Sequence, residues 1–213
     1  MKIFNETISK EIITMLGEIP EKVHVLFFGS EKNCRSCKDT MNFVSEFCDL
    51  NEQLEFEAYD TVQNEDQKIK YNIDKVPSIV VLDKDRNDFG IRFYGIPAGY
   101  EIHSLIASVR ELGGVSAGLP AEIEERISKI DKEIHIQVFV TPTCSYCPGA
   151  VITGHRLAFL NKNIKTDMIE ANSFPDEAAK YGVKSVPKIV INEDNEFVGT
   201  QPITKYLEII ESI

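Results

Sequence analysis

Nowhere does this chain hold an apolar run approaching the roughly 20 residues that a membrane-spanning helix needs, so no span is expected in it. Positive charge is scarce. Against 34 Asp and Glu there are 23 Lys and Arg, a formal net charge of -11. Nucleic acids and anionic membranes both reward a basic surface, so neither is expected as a partner. An apolar leader core is missing as well: the opening MKIFNETISKEI carries Glu6, Lys10 and Glu11 where a secretory signal would be uninterrupted. The expectation is a cytoplasmic protein. There, cysteines stay reduced unless their chemistry is redox or metal binding. Tryptophan is absent altogether.

What is present is a repeat. Two Cys-x-x-Cys motifs occur, Cys34-Arg-Ser-Cys37 and Cys144-Ser-Tyr-Cys147, and each is followed by a Val-Pro. Cys37 precedes Pro77 by 40 positions, and Cys147 precedes Pro187 by the same 40. Aligned on the cysteines, Val23-His24-Val25-Leu26-Phe27-Phe28 faces Ile134-His135-Ile136-Gln137-Val138-Phe139, with one extra residue before the first motif. Tyr71-Asn-Ile-Asp-Lys-Val-Pro-Ser-Ile-Val80 faces Tyr181-Gly-Val-Lys-Ser-Val-Pro-Lys-Ile-Val190 without a gap. Self-similarity of this kind marks an internal duplication. The 213 residues therefore divide into two units, 1–117 and 118–213, each long enough for its own core. The boundary is placed near Ala117, in the Gly/Pro-rich Glu111–Pro120.

Each unit reads helix, strand, Cys-x-x-Cys, helix, strand, helix, Val-Pro, strand, strand, helix. Ile8, Ile12, Met15 and Ile19 fall at helical spacing, as do Ile123, Ile127 and Ile130. The β-branched and aromatic runs at 23–28 and 134–139 predict buried strands. Further strands are expected near Leu54–Tyr59, Ile79–Leu82 and Phe89–Tyr94, and near Lys165–Ile169, Ile189–Ile191 and Glu196–Val198. Helices over Glu101–Leu112 and Thr204–Ile213 close the units. Alternating strands and helices predict an α/β fold, a mixed sheet flanked by helices, in each unit.

The spacing has a chemical reading. A thiolate, not a thiol, is the nucleophile, and a helix N-terminus lowers a cysteine pKa from its usual value of about 8.5. The first cysteine of each motif follows a strand and is expected to open a helix, where unpaired N–H groups and the dipole stabilise its charge. The second lies one turn on, within bonding distance. Cys34 and Cys144 are thus the candidate nucleophiles, and Cys37 and Cys147 the resolving residues of two redox-active pairs. Arg35 and Lys38 add positive charge at the first site, while Tyr146 and Pro148 give the second an apolar entrance. An X-Pro bond is the kind that tolerates the cis form. At Val76-Pro77 and Val186-Pro187 a cis bond would expose a backbone edge to which a substrate peptide adds as a strand.

These residues resemble those of the thioredoxin superfamily. The doubling, with two Cys-x-x-Cys sites, is similar to the protein disulfide oxidoreductases of thermophilic archaea and bacteria, the glutaredoxin-like proteins. The resemblance implies two tandem thioredoxin-fold units, a cis proline beside each disulfide, and reduction, oxidation or isomerisation of protein substrates. Thioredoxin places a tryptophan before its first cysteine and a Gly-Pro spacer; this chain has neither. Thioredoxin's buried aspartate, six residues before its first cysteine, is replaced by Phe28 and Val138, which leaves Asp60 and Glu170 as candidate proton acceptors. The last strand runs into Gly199-Thr200-Gln201 rather than the Gly, small residue and Asp of glutathione-using glutaredoxins.

Three functions compete. The first is a thiol–disulfide oxidoreductase acting on protein disulfides and dithiols and needing no cofactor of its own. The second is a carrier of electrons from a thioredoxin-reductase-like flavoprotein to a peroxiredoxin. The third is a non-catalytic zinc protein, against which stands the separation of Cys37 from Cys144 by 107 residues, since zinc ribbons space their pairs by about 15–20. Cys48 is expected to be a buried structural residue, His24 and His135 structural histidines, and Tyr71 and Tyr181 packing residues. His103 and His155 fall on helices and are expected to be solvated.

Overall fold

The computed structural model describes residues 2–32, 34–116 and 118–213. They pack as two compact units. The first takes the chain up to Asp88 with Phe93–Ile96 and Ile106–Ser116; the second takes Phe89–Arg92, Pro97–Leu105 and the chain after Ser116. The expected boundary residue, Ala117, lies outside the described residues. Packing and sequence order are thus interleaved. Two short segments that precede the Gly/Pro-rich stretch belong with the second unit.

Along the chain come α1 (Glu6–Leu16), β1 (Val23–Gly29), α2 (Cys37–Cys48), β2 (Leu54–Asp60), α3 (Glu65–Lys70), β3 (Ser78–Leu82) and β4 (Asp88–Tyr94). A 3-10 turn at Gly99–Glu101 leads into α4 (Ile102–Leu112). The same order then recurs as α5 (Ala121–Ser128), β5 (Ile134–Val140), α6 (Cys147–Leu160), β6 (Ile164–Glu170), α7 (Pro175–Lys180), β7 (Lys188–Ile191), β8 (Asn195–Val198) and α8 (Ile203–Ser212). The order of elements is the one the sequence predicts, twice.

In the first unit β1 is the central strand. It pairs in parallel with β2, from Val23↔Leu54 to Gly29↔Asp60, and antiparallel with β3, from His24↔Leu82 to Phe28↔Ser78. In the second unit β5 pairs in parallel with β6 and antiparallel with β7, which carries β8 on its other edge. Every residue of β1 is buried, as befits a strand covered on both faces. Residues 37, 40, 43, 44, 47 and 48 of α2 form one buried face at helical spacing. On α1, Ile12 and Leu16 are buried but Ile8 is 39% exposed, so the apolar stripe is narrower than its spacing implies. Asn5 caps α1 by accepting the Ile8 N–H at 2.9 Å.

The turns after α3 and α7 aim the Val-Pro segments. Asn72 and Gly182 occupy equivalent left-handed positions, φ 51° and 57°. The Ile73 N–H reaches back to the Lys68 carbonyl, and the Val183 N–H to that of Ala178, both at 2.9 Å. This closes each helix in the six-residue manner typical of a left-handed cap. Aromatic pairs repeat as well: Phe28 meets Tyr71 at 5.9 Å between ring centroids, and Phe139 meets Tyr181 at 5.5 Å. Tyr71 and Tyr181 are packing residues, as expected. Phe28 also stacks on Tyr59 at 5.2 Å, inside a cluster with Leu26, Ile73, Val80 and Leu82.

Two substitutions separate side-chain from backbone contributions. Phe28→Ala should cost about 3–5 kcal/mol, because a buried ring is replaced by a cavity. Gly182→Ala meets no heavy atom within 4 Å of the new Cβ, so only left-handed strain of about 1–2 kcal/mol remains. Denaturant unfolding of both variants checks the ranking.

Candidate functional site

Strand register brings each Cys-x-x-Cys and its Val-Pro to the same end of the sheet. β1 ends at Gly29 and leads to Cys34, while Phe28 lies opposite Ser78, the residue after Pro77. In the second unit Phe139 lies opposite Lys188, the residue after Pro187. Both Val76-Pro77 and Val186-Pro187 are cis, as the resemblance implies. The Gly95 N–H donates to the Pro77 carbonyl at 3.0 Å, and the Gly199 N–H to that of Pro187 at 2.8 Å.

Each pair of cysteines is joined: Cys34–Cys37 with Cα atoms 5.4 Å apart and Cys144–Cys147 with 5.5 Å. Cys34 and Cys144 are half-buried, while Cys37 and Cys147 are buried. That asymmetry is what a nucleophile and a resolving thiol need. The helices begin later than expected. Their first residues are Cys37 and Cys147, with Ser36 and Tyr146 at the N-cap. No side chain caps either helix, so first-turn N–H groups stay available to charge at the sulfurs. Pro148 stands in the first turn of α6, where its missing N–H costs nothing.

At the first site the Ser30 N–H points at Cys37 Sγ, 3.4 Å away. Gly29 is required by close approach: a Cβ there would lie 2.6 Å from the Phe27 ring and 3.3 Å from Cys37 Sγ. Asp60 ties the loop to β2 by accepting the N–H groups of Glu31 (3.2 Å), Val62 (2.9 Å) and Gln63 (3.0 Å). Those bonds, led by the one from Gln63, hold its carboxyl below the usual range. Glu170, its repeat equivalent, accepts from the N–H groups of Asn172 (3.0 Å) and Ser173 (2.8 Å) and from the Ser173 hydroxyl. Asp60 and Glu170, the candidate proton acceptors, thus each organise the turn that follows their strand.

The second site has a carboxylate that the sequence analysis missed. The turn Gly99–Glu101 lies in the second unit and packs on α6. The Tyr100 N–H donates to the Pro142 carbonyl at 3.0 Å, two residues before Cys144. A Cβ on Gly99, at φ 62°, would stand 2.3 Å from that carbonyl oxygen, so only glycine permits the contact. Glu101 is 1% exposed. One of its oxygens accepts the Ser104 hydroxyl, and Oε1 has no hydrogen-bond partner. Burial pushes its pKa up to about 7. Nothing in the sequence distinguishes it from a solvated acid in a first helical turn. Tyr146 is 74% exposed at the mouth of this site, and its carbonyl accepts the Thr200 hydroxyl at 2.5 Å.

The remaining singled-out residues lie elsewhere. His24 and His135 sit at the opposite end of their strands, His24 Nδ1 at 3.2 Å from Glu55 and His135 Nε2 at 2.6 Å from Asp167. Both are structural, as expected. His103 is exposed. His155 corrects the expectation of a solvated ring: it is 2% exposed on α6, and burial lowers its pKa to about 3. α6 is covered on most of its circumference, so helical position alone misplaced this residue. Cys48 is buried, and desolvation pushes its thiol well above the usual range. Among the described residues no three His, Cys, Asp or Glu side chains converge on a metal position.

Thiol counting checks this arrangement. The oxidised protein should show no reactive thiol while native and one, Cys48, after denaturation. After reduction under native conditions, Cys34 and Cys144 should alkylate first and Cys48 last, as read by peptide mass spectrometry.

Known proteins agree with this geometry. The Thioredoxin domain family matches residues 134–211. The structure of the alkylhydroperoxide reductase AhpF from Enterococcus faecalis V583 is 27% identical, with a TM-score of 0.92 over 98% of this chain and 100% of that one. A protein disulfide oxidoreductase from Aeropyrum pernix K1 is 29% identical, with a TM-score of 0.91 over 100% of this chain and 94% of that one. The corresponding alkyl hydroperoxide reductase protein of Pseudomonas aeruginosa is 30% identical over 131 residues, 62% of this chain and 25% of that protein. The chain spans 21% to 36% of the length of the curated relatives it matches. Among the described residues no helix is long and apolar enough to cross a membrane. With two Cys-x-x-Cys pairs and two cis prolines placed by the same strand register, the chain is built as a tandem of two thioredoxin-fold units.

Proposed function

We propose that this chain is a thiol–disulfide oxidoreductase acting on protein substrates through both Cys-x-x-Cys pairs. The observation that carries the reading is the repeated geometry: a half-buried cysteine ahead of an uncapped helix, its buried partner one turn on, and a cis proline at the same sheet end. The Cys34 or Cys144 thiolate attacks a substrate disulfide, forming a mixed disulfide and expelling one substrate thiolate. Cys37 or Cys147 then attacks that cysteine, closing the protein disulfide and releasing the second thiolate. Two electrons pass to the substrate, which takes up two protons. Run backwards, the cycle oxidises a dithiol. Val76-Pro77 and Val186-Pro187 line the edge on which a substrate peptide lies as a short strand.

At the second site Glu101 serves as proton acceptor for Cys147. Its support is burial, an oxygen without a partner, and its place in a turn bonded to Pro142. Glu101 titrates near the operating pH, where general acid–base transfer is most effective. At the first site Asp60, which ends β1's neighbouring strand toward the pair, is committed to backbone N–H groups. The second site therefore carries most of the turnover.

A second reading is favoured by the likeness to the alkylhydroperoxide reductase AhpF. In it, the same chemistry passes electrons from a thioredoxin-reductase-like flavoprotein to a peroxiredoxin. The cytoplasm, where thiols are kept reduced, suits either reading.

Dithiothreitol-driven insulin reduction tests the assignment. Cys144→Ser should lower the rate more than Cys34→Ser, and the double variant should fall to the rate of dithiothreitol alone, because both nucleophiles are gone. Full activity in the double variant would refute the reading. Faster electron delivery to a peroxiredoxin than to insulin would select the carrier.

Glu101 is tested by pH. Its folded pKa lies above its unfolded value, so its stabilising contribution is complete below about pH 4.5 and is lost as pH rises through about 7. Glu101→Gln should be more stable than the parent above that pH, by up to about 3 kcal/mol. The same variant should lose the rise in second-site turnover near pH 7 that the carboxylate confers. A merely structural Glu101 would leave that profile unchanged.

A further inference from the structure

Three free cations cluster in the loop of the first pair. Lys32, Arg35 and Lys38 surround the first pair and are exposed, and among the described residues none of the three is held in an ion pair. Three cations against Glu31 and Asp39 leave Ser30–Thr40 net positive within a chain of net charge -11. Asp60, the carboxylate at the base of this loop, accepts three backbone N–H groups, which offset part of its charge. Lys75, beside the Val76-Pro77 edge, is matched by Asp74 at 2.6 Å. The loop of the second pair differs: Thr141–Val151 holds no charged residue, its most prominent side chain is the exposed Tyr146, and one exposed cation, Lys184, stands near Val186-Pro187.

We infer that the two pairs divide their substrates by charge, the first serving protein disulfides flanked by acidic residues and the second serving uncharged ones. The inference rests on the redox reading proposed above. A negatively flanked disulfide is drawn toward Cys34, and such steering raises the encounter rate by about tenfold or more at low ionic strength. The chemistry is unchanged. Cys34 forms a bond to one substrate sulfur as the substrate S–S bond breaks, and Cys37 closes the Cys34–Cys37 disulfide as the second substrate thiolate leaves. A small dithiol such as dithiothreitol then reduces the pair, supplying two electrons.

The test uses the full chain in two backgrounds, Cys144→Ser/Cys147→Ser and Cys34→Ser/Cys37→Ser. Each is given two disulfide-bonded reporter peptides that differ only in Asp or Lys flanks. The protein with only its first site should reduce the Asp-flanked peptide about tenfold faster at about 0.01 M salt, and the advantage should vanish near 1 M, where the screening length is about 3 Å. Lys32→Glu/Arg35→Glu/Lys38→Glu should reverse the preference. The salt series on the unaltered surface decides the matter should that variant misfold. The protein with only its second site should discriminate much less between the peptides, having one exposed cation, Lys184, in place of three. Equal rates, or a preference for Lys flanks, from a first site that reduces both peptides would overturn the inference and leave the redox reading standing. No turnover by the first site alone, with wild-type protein active, would also overturn it and confine the redox reading to the second pair. An inactive wild type would remove the redox reading itself.

Discussion

The central strand of each unit holds one parallel and one antiparallel neighbour, and the chemistry depends on that double pairing. β1 is bonded to β2 from Val23↔Leu54 to Gly29↔Asp60 and to β3 from His24↔Leu82 to Phe28↔Ser78. The antiparallel pairing forces the end of β1 and the start of β3 to coincide. Thus the chain leaving β1 toward Cys34 meets the chain entering β3 from Pro77. A one-residue slip would turn every buried side chain of β1 to the wrong face, and burial of all seven residues opposes it. The β5–β7 pairing does the same for Cys144 and Pro187.

From that frame the two sites diverge in their supporting groups. Both place a half-buried sulfur ahead of an uncapped helix and a buried sulfur at its first residue. The first is braced by Asp60, whose oxygens are consumed by the loop it organises, and is surrounded by free cations. The second is braced by Gly99–Glu101 on the Pro142 carbonyl and by Thr200 on the Tyr146 carbonyl, and it keeps a buried carboxylate close by. Duplication preserved the reacting atoms while the surroundings changed. Surroundings set thiolate stability and proton delivery, so the pairs need not share a reduction potential or a substrate.

The buried titratable groups follow from desolvation. Glu101 keeps its proton up to about pH 7, His155 is kept uncharged on α6, and the Cys48 thiol is made harder to ionise. In each case an apolar shell disfavours the charged form. Only Glu101 is next to a segment where a proton must move. Burial at Cys48 sets the fifth cysteine apart from the exchange chemistry proposed for the other four.

Much of this was legible in the residues themselves. Local spacing and β-branched runs determined the order of elements. The cysteine and proline intervals announced the duplication and singled out Cys34, Cys37, Cys144, Cys147, Val76, Pro77, Val186 and Pro187 as candidates, because spacing along one chain survives folding unchanged. What needed the tertiary structure was everything set by approach from elsewhere. Asp60 and Glu170 look like paired functional acids in the sequence, yet both are spent on neighbouring backbone N–H groups. His155 looks solvated on a helix, yet it is buried and bonded to the Arg92 backbone. Glu101 looks like an ordinary first-turn acid. Only packing shows that residues 97–105 belong with the second unit and bring a buried carboxylate to its site. Burial depends on which segments meet in space, and a linear spacing carries no record of that.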